Sequence, residues 1–218
     1  MLSLLLPRRC AVCETPGEGL CTGCRAALIR LAPPFCERCG SPGAWPVQRC
    51  TECAGRRIGF ARARAAIVYD ERARRLVGAW KERGRRDLTA AAAELVVETV
   101  ARPPADALAC VPADAERRRE RGHATPAALA AALGELWQLP VAPLLRRTRS
   151  GGRQTGGRIA DRRRNVRGVF APAGRAPPTV VLVDDVYTSG ATAAACATAL
   201  RRAGARRVEV VSLARAVR

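Results

Sequence analysis

The sequence predicts an α/β fold, a parallel sheet flanked by helices, preceded by a small cysteine-rich module. Eight of the ten cysteines fall before residue 54, in four Cys-x-x-Cys pairs. Near residue 60 the composition changes from Cys, Pro and Gly, with little apolar periodicity, to alternating apolar strands and alanine-rich helices. Val180-Val181-Leu182-Val183 is a continuous apolar run, the kind of strand that is buried on both faces. The expected division is therefore 1–60 for the module and 61–218 for the α/β domain.

A stretch as poor in periodic apolar residues as the first sixty cannot build a core unaided and needs a staple. Beyond it, Ala65 to Tyr69 reads as a strand and Glu71 to Trp80 as a helix. Leu88 to Ala101 reads as a second helix, with Asp87 able to cap it. Ala107 to Val111 is a short buried strand stopped by Pro112. Thr125 followed by Pro126 is a cap-then-proline helix start, and that helix runs to Trp137. Val141 to Leu145 is a further strand candidate, and residues 146–167 look irregular. After the Val180–Val183 strand come a helix from Ala191 to Ala203, with Gly204 as its C-cap, and a last strand from Val208 to Leu213.

The formal net charge is +19, and Lys81 is the only lysine among 38 basic residues. Such a field favours anionic ligands such as phosphates, pyrophosphate or nucleic acid, although an arginine excess also follows from genomic base composition. Leu2-Ser3-Leu4-Leu5-Leu6 is too short for a signal-peptide core and ends at Pro7-Arg8-Arg9 without a small-residue cleavage pattern. No run approaches the roughly 18–20 apolar residues of a membrane span. No membrane insertion is expected, and a soluble, cytoplasmic protein is.

The pairs are Cys10/Cys13, Cys21/Cys24, Cys36/Cys39 and Cys50/Cys53. Two intervening residues suit a metal knuckle, and two knuckles give Zn²⁺ a closed tetrahedral set of four thiolates. Eight cysteines thus point to one or two structural zinc ions, with redox-active pairs and an iron–sulfur site as alternatives. The simplest pairing joins the first two knuckles and the last two, and an interleaved pairing is also open. A closed site leaves no position for substrate, so its role is structural. Cys110 and Cys196 stand alone in apolar segments and read as small core residues.

The most specific segment runs from Val180 to Thr192, an apolar strand ending in Asp184 and Asp185 and then a hydroxyl-rich turn that opens a helix. Ligands of open α/β sheets bind at such carboxyl ends of strands. The backbone N–H groups of the turn and the helix N-terminus form an anion site, to which Thr188, Ser189 and Thr192 add hydroxyls. Gly190 lets the backbone come close to a phosphate. The two acids suit ribose hydroxyls, or a Mg²⁺ ion bridging to a phosphate.

This segment resembles the signature of type I phosphoribosyltransferases: apolar strand, two acids, then Thr-x-Gly-x-Thr. The resemblance implies a type I phosphoribosyltransferase-like parallel sheet. It implies that Asp184 and Asp185 contact the ribose hydroxyls of phosphoribosyl pyrophosphate (PRPP), bound with Mg²⁺. The loop Tyr187, Thr188, Ser189, Gly190, Ala191 and Thr192 would hold the 5-phosphate. Together with the four knuckles, the chain from Cys10 to Leu213 resembles the ComF family, whose members are associated with DNA uptake during natural competence. Trp80-Lys81-Glu82-Arg83-Gly84 corresponds to its Lys-x-x-Gly stretch, and Val111-Pro112 leading to Arg121-Gly122 to its Val-Pro…Arg-Gly segment, the counterpart of a pyrophosphate loop. Gln154, Arg164-Asn165 and Phe170 correspond to a loop over the site. His123-Ala124-Thr125 departs from the family's Phe-Asn-Gln, removing amides there. His123, the sole histidine, is a candidate base or phosphate donor, or simply a polar loop residue.

The resemblance thus implies an enzyme in which Lys81 and Arg121 face the pyrophosphate and Asp184 and Asp185 the ribose, with an acceptor that no residue identifies. In this fold an added hood holds the acceptor, a place the zinc module is able to fill. The alternative is a non-catalytic, basic nucleic-acid-binding protein of natural transformation that retains the fold. Its partners would be single-stranded DNA and the DNA-uptake helicase machinery. Arg117, Arg118, Arg119 and Arg121 follow a strand end, where a pyrophosphate would lie. One or two of them, Arg121 first, are expected in the site, and with Glu116 and Glu120 among them the alternative for the rest is an ion-paired surface. The nine arginines of residues 146–167 have one acid, Asp161, for company, a balance suited to a polyphosphate or a DNA backbone. With 4% aromatic residues and none inside that stretch, base-stacking readout has little support.

Overall fold

The computed structural model describes residues 8–56, 58–114, 123–148 and 168–217. In chain order its elements are α1 (Thr22–Ala26), β1 (Arg62–Val68), α2 (Glu71–Lys81), α3 (Leu88–Thr99), β2 (Ala107–Cys110), α4 (Thr125–Trp137), β3 (Leu145–Arg147), β4 (Phe170–Pro172), β5 (Thr179–Tyr187), α5 (Ala191–Arg202) and β6 (Arg207–Arg215). The main sheet has the order β1-β6-β5-β2 with every pairing parallel. β3 and β4 form a separate antiparallel pair.

The apolar run Val180–Val183 lies in the sheet's interior because both of its faces have a core to meet. Val181 and Val183 join Leu76, Val77 and Trp80 of α2, Leu95 of α3, and Leu129 and Leu133 of α4. Val180 and Leu182 join Cys196 and Leu200 of α5 on the opposite face. The result is a three-layer α/β/α arrangement, as expected. Each fully buried Leu or Val of these clusters contributes about 1.5–3 kcal/mol of transfer free energy. α2 presents its apolar stripe because Asp70 fixes its start, accepting from Ala73 N at 2.8 Å, and because Trp80 settles its indole N–H on Thr89 at 3.1 Å.

The cysteine-rich segment packs against this sandwich in two places. Cys10, Val12, Leu20 and Leu28 extend the core of α2 and α3. Cys36, Cys39, Cys53 and Phe60 extend the core of α5. Between them the segment covers the outer edge of β1: Leu31 N donates to Ala66 O, Val68 N to Ile29 O and Ala63 N to Arg38 O, each at 2.9 Å. An edge strand left open would template pairing with other chains.

Several local expectations are corrected. Asp87 precedes α3 but makes no capping bond, because its carboxylate is held by Arg85 at 2.7 and 2.9 Å. Thr125 is the first residue of α4 rather than its cap; Ala124 occupies the cap position, and the threonine hydroxyl is committed elsewhere. Val141 makes a single bridge to Leu108, and the strand begins only at Leu145. β5 does not end at Val183 but continues to Tyr187, so the two acids lie inside the strand. Among the described residues no helix is long and apolar enough to cross a membrane.

Candidate functional site

The eight knuckle cysteines form two groups, Cys10, Cys13, Cys21 and Cys24, and Cys36, Cys39, Cys50 and Cys53, with the four sulfurs of each group within 4.8 Å of one another. The simple pairing is the one adopted, and the interleaved one is not. Zinc–sulfur bonds of about 2.3 Å in a tetrahedron place sulfurs about 3.8 Å apart. The separations match this: 3.8 Å for Cys13–Cys21, 3.6 Å for Cys36–Cys53, 3.4 Å for Cys39–Cys50 and 4.0 Å for Cys50–Cys53. Backbone N–H groups of Cys24 and Cys50 also point at Cys21 and Cys36 sulfurs. Burial opposes ionisation of Cys10 and Cys36, yet backbone N–H groups bring these thiols down to about 6 and about 7. Burial pushes Cys24 up to about 12 and raises Cys39 as well. Four sulfurs so close ionise together only around a cation, and the set fits zinc.

The second site opens at the carboxyl end of the main sheet. β2 pairs with β5 only as far as Cys110 and Val183, whereas β6 follows β5 to Tyr187. The last residues of β5 therefore have one open side, and a cavity of about 690 Å³ lies there. Lys81, Asp184, Asp185, Thr188 and Thr192 all line it, so these five expected site residues are brought together.

Asp185 is 4% exposed and fully engaged. Its Oδ1 accepts from Val186 N at 2.8 Å, and its Oδ2 lies 2.7 Å from the donating Thr125 hydroxyl and 2.5 Å from Lys81 Nζ. Asp184 is partly open to the cavity and accepts from Asp185 N at 2.9 Å. Burial, and then the neighbouring Asp185 carboxylate, push Asp184 up to about 8. The pair thus consists of a tethered carboxylate and a second carboxyl whose charge depends on what enters the cavity.

The loop after β5 is built around one glycine. Gly190 has φ +69°, and a Cβ there would stand 2.2 Å from Tyr187 Oη. The position needs glycine because of its left-handed backbone and because the tyrosine fills its space, rather than to admit a phosphate. The Tyr187 ring turns away from the cavity, edge-on to Phe60 at 6.3 Å and under the Arg215 guanidinium at 4.7 Å. Ala191 N lies 3.4 Å from Ser189 Oγ, and no side chain caps the start of α5. The Ala191 N–H is thus engaged, and the uncapped N–H groups after it in the first turn of α5 are the ones open to an anion.

Arg121, Arg117, Arg118, Arg119, Gln154, Arg164 and Asn165 lie outside the described residues, as does the basic stretch beyond Thr148. Phe170 is buried in β4, under the Arg147 guanidinium at 5.6 Å. His123 lines the cavity. Cys196 is wholly buried and Cys110 half-buried, as expected of core residues. Sequence reasoning missed Thr125 as a partner of Asp185, and it missed Asp114 and Arg147, which pair at 3.3 Å on the cavity wall. It also missed Arg215 and Arg56 behind the loop, where Arg56 donates to Ser189 O at 3.0 Å.

Comparison with known proteins gives two informative matches. The double zinc ribbon domain family matches residues 1–54, so the N-terminal segment carries that module. The proteins called DNA utilization protein YhgH from Salmonella typhi and Salmonella typhimurium are each 29% identical over 228 residues, covering 97% of this chain and 99% of theirs. These matches bear out the resemblance to the ComF family. A solved glutamine phosphoribosylpyrophosphate amidotransferase from B. subtilis, complexed with ADP and GMP, aligns at 25% identity with a TM-score of 0.38. That alignment covers 59% of this chain and 26% of the other.

Proposed function

We propose that the cavity at the end of β5 binds PRPP or a related ribose phosphate with Mg²⁺. The observation that carries this is the meeting, in one cavity, of two adjacent strand carboxylates with a glycine-hinged hydroxyl loop at an uncapped helix start. In this reading residues 61–218 hold the ligand; among the described residues none of 1–60 lines the cavity, so the zinc module does not take the expected place of a hood. The uncapped N–H groups of α5 and the hydroxyls of Thr188 and Thr192 take the 5-phosphate. Asp184 takes the ribose hydroxyls, with Asp185 held in place by Lys81 and Thr125. Adjacent hard oxygen donors suit Mg²⁺, which would neutralise the pyrophosphate charge. Lys81 lines the cavity and is assigned to that charge, with Arg121 assigned beside it.

Transfer would break the C1–O bond to pyrophosphate and form a bond from C1 to an acceptor nucleophile. The chain would contribute positioning and stabilisation of the departing charge. A ligand bound to the folded chain alone raises its melting temperature. PRPP with Mg²⁺ is therefore expected to raise the Tm of the zinc-loaded protein and to leave an Asp184→Asn/Asp185→Asn variant unshifted. An unshifted wild type would remove this reading.

A second reading, nucleic-acid handling, is favoured by a separate observation. Arg38, Arg49, Arg56, Arg201 and Arg202 line one groove of about 580 Å³ between the second zinc cluster and α5. Among the described residues none of the five has a salt bridge to a carboxylate, whereas Arg62 and Arg207 nearby share Glu209. Crowding by Arg49 and Arg201 adds to burial in lowering the Arg38 pKa. Uncompensated guanidinium groups in a row suit a phosphate backbone. The name of the Salmonella relatives accords with a DNA substrate. Acceptor-dependent pyrophosphate release would mark the enzyme, and salt-sensitive DNA binding without turnover the scaffold.

A further inference from the structure

We infer that Arg215 is a positioning residue that couples metal occupancy of the Cys36/Cys39/Cys50/Cys53 cluster to the shape of the ligand loop. The inference rests on the ribose-phosphate reading of the cavity and adds a control to it.

Arg215 is the last residue of β6 and is in register with Tyr187, the last residue of β5. It is 1% exposed, although no local pattern marks it for burial. A buried guanidinium is tolerated only where its charge and donors are met. Here the zinc module meets the charge and both terminal nitrogens, while Nε is left without a partner. Nη1 donates to Cys39 O at 2.7 Å, and Nη2 to Glu52 Oε2 at 2.7 Å, with Cys39 Sγ 3.7 Å away. The other face of the same group rests on the Tyr187 ring. One cation thus touches a ligand cysteine of the cluster and the first residue of the loop.

A second strut runs parallel to it. Arg56 donates to Glu52 O at 2.9 Å and to Ser189 O at 3.0 Å. The two arginines hold Tyr187 and Ser189, which flank the cavity-lining Thr188. Tyr187 in turn fills the space beside Gly190, so its ring sets the turn that opens α5. Among the described residues the first cluster shows no such reach. Its segment is tied to α2, α3 and the loop before α3, through Arg75 to Val12 O at 3.4 Å, Arg25 to Glu94 at 3.0 Å and Arg85 to Arg9 O at 2.9 Å.

With zinc bound, the Cys39 knuckle is held rigid, so Arg215 has a fixed carbonyl and a fixed Glu52 carboxylate to grip. Without zinc the knuckle loses its tether, and Tyr187 loses the fixed cation that locates it. Occupied second cluster and ordered ligand loop therefore favour each other. Linkage makes the coupling reciprocal: ligand must raise the zinc affinity of that cluster by the factor by which zinc strengthens ligand binding.

The test uses the full chain carrying two zinc ions, with Arg215→Met, Arg215→Lys and, as a control at the first cluster, Arg85→Met. PRPP–Mg²⁺ affinity, zinc affinity against a chelator, and amide exchange at residues 188–191 are measured for each. The account predicts that Arg215→Met keeps both ions, binds PRPP about tenfold more weakly and exchanges faster in the loop. At equilibrium with a competing chelator, PRPP should raise the affinity for one of the two ions in the wild type and for neither in Arg215→Met. Arg215→Lys should recover part of the effect, and Arg85→Met should match the wild type. An Arg215→Met chain with wild-type affinity and loop exchange overturns the inference, as does a wild type in which PRPP protects neither ion. If Arg215→Met does not fold, Glu52→Gln, which weakens one strut contact, and Arg56→Met, which removes both contacts of the second strut, must show the same direction. If the wild type binds no PRPP, the ribose-phosphate reading falls. Loop exchange before and after removal of the second zinc then decides the coupling alone.

Discussion

Lys81 Nζ and Asp185 Oδ2 lie 2.5 Å apart, one at the end of α2 and the other inside β5, and together they form one wall of the cavity. The aspartate side chain is 5% exposed and the lysine 32% exposed, so the lysine has water available and the carboxylate does not. Lys81→Met would strand that carboxylate. With the lysine partly solvated, the expected loss is about 1–2 kcal/mol, below the cost of breaking a fully buried pair. Urea denaturation of Lys81→Met, Asp185→Asn and the double variant should show the double variant recovering part of the loss.

Asp184 makes stability depend on pH. Its folded pKa is raised from 3.8 to about 8, so between those values the folded chain keeps a proton that the unfolded chain has released. The contribution of this group is complete below the lower value, declines as pH rises, and is gone above the upper one. Denaturation midpoints measured from pH 5 to 9 should therefore fall more steeply for the wild type than for Asp184→Asn. Parallel curves would contradict the assignment.

Gly190→Ala adds a methyl at φ +69°, 2.2 Å from Tyr187 Oη. A left-handed alanine with such a contact costs about 1–3 kcal/mol and displaces the tyrosine. The variant should lose ligand affinity by more than its stability loss explains, because the loop itself moves. Calorimetry and denaturation on the same sample separate the two effects.

Much of this arrangement is legible in sequence wherever the signal is local. Two-residue spacing of cysteines is what a metal knuckle requires, and it picked out all eight cysteines that the fold gathers into two clusters. Val180–Val183 could be read as interior because nothing polar interrupts it, and the acids and loop follow directly along the chain. Two of the misses share a cause, which is that their partners are distant in sequence. Thr125 looked like a helix cap because its partner, Asp185, is sixty residues on. Arg215 is one arginine among many in the sequence, and only the docking of the Cys39 knuckle reveals it. Asp87 fits a cap by type, but Arg85 competes for its carboxylate two residues away.

The arginine groove yields a prediction of its own. If single-stranded DNA lies along Arg201 and Arg202, removing both contacts should reduce the slope of log affinity against log salt by about 1.4. Arg201→Ala/Arg202→Ala should do so while PRPP affinity stays unchanged, since neither residue lines the ligand cavity. Fluorescence anisotropy at several salt concentrations measures it.

The ribose-phosphate site is tested most directly by calorimetric titration of the zinc-loaded chain with PRPP and Mg²⁺, alongside Asp184→Asn/Asp185→Asn. The account predicts saturable binding of one ligand per chain by the wild type and none by the folded variant. A folded, zinc-loaded wild type that takes up no heat-detectable ligand, or a variant that binds as well as the wild type, would contradict it.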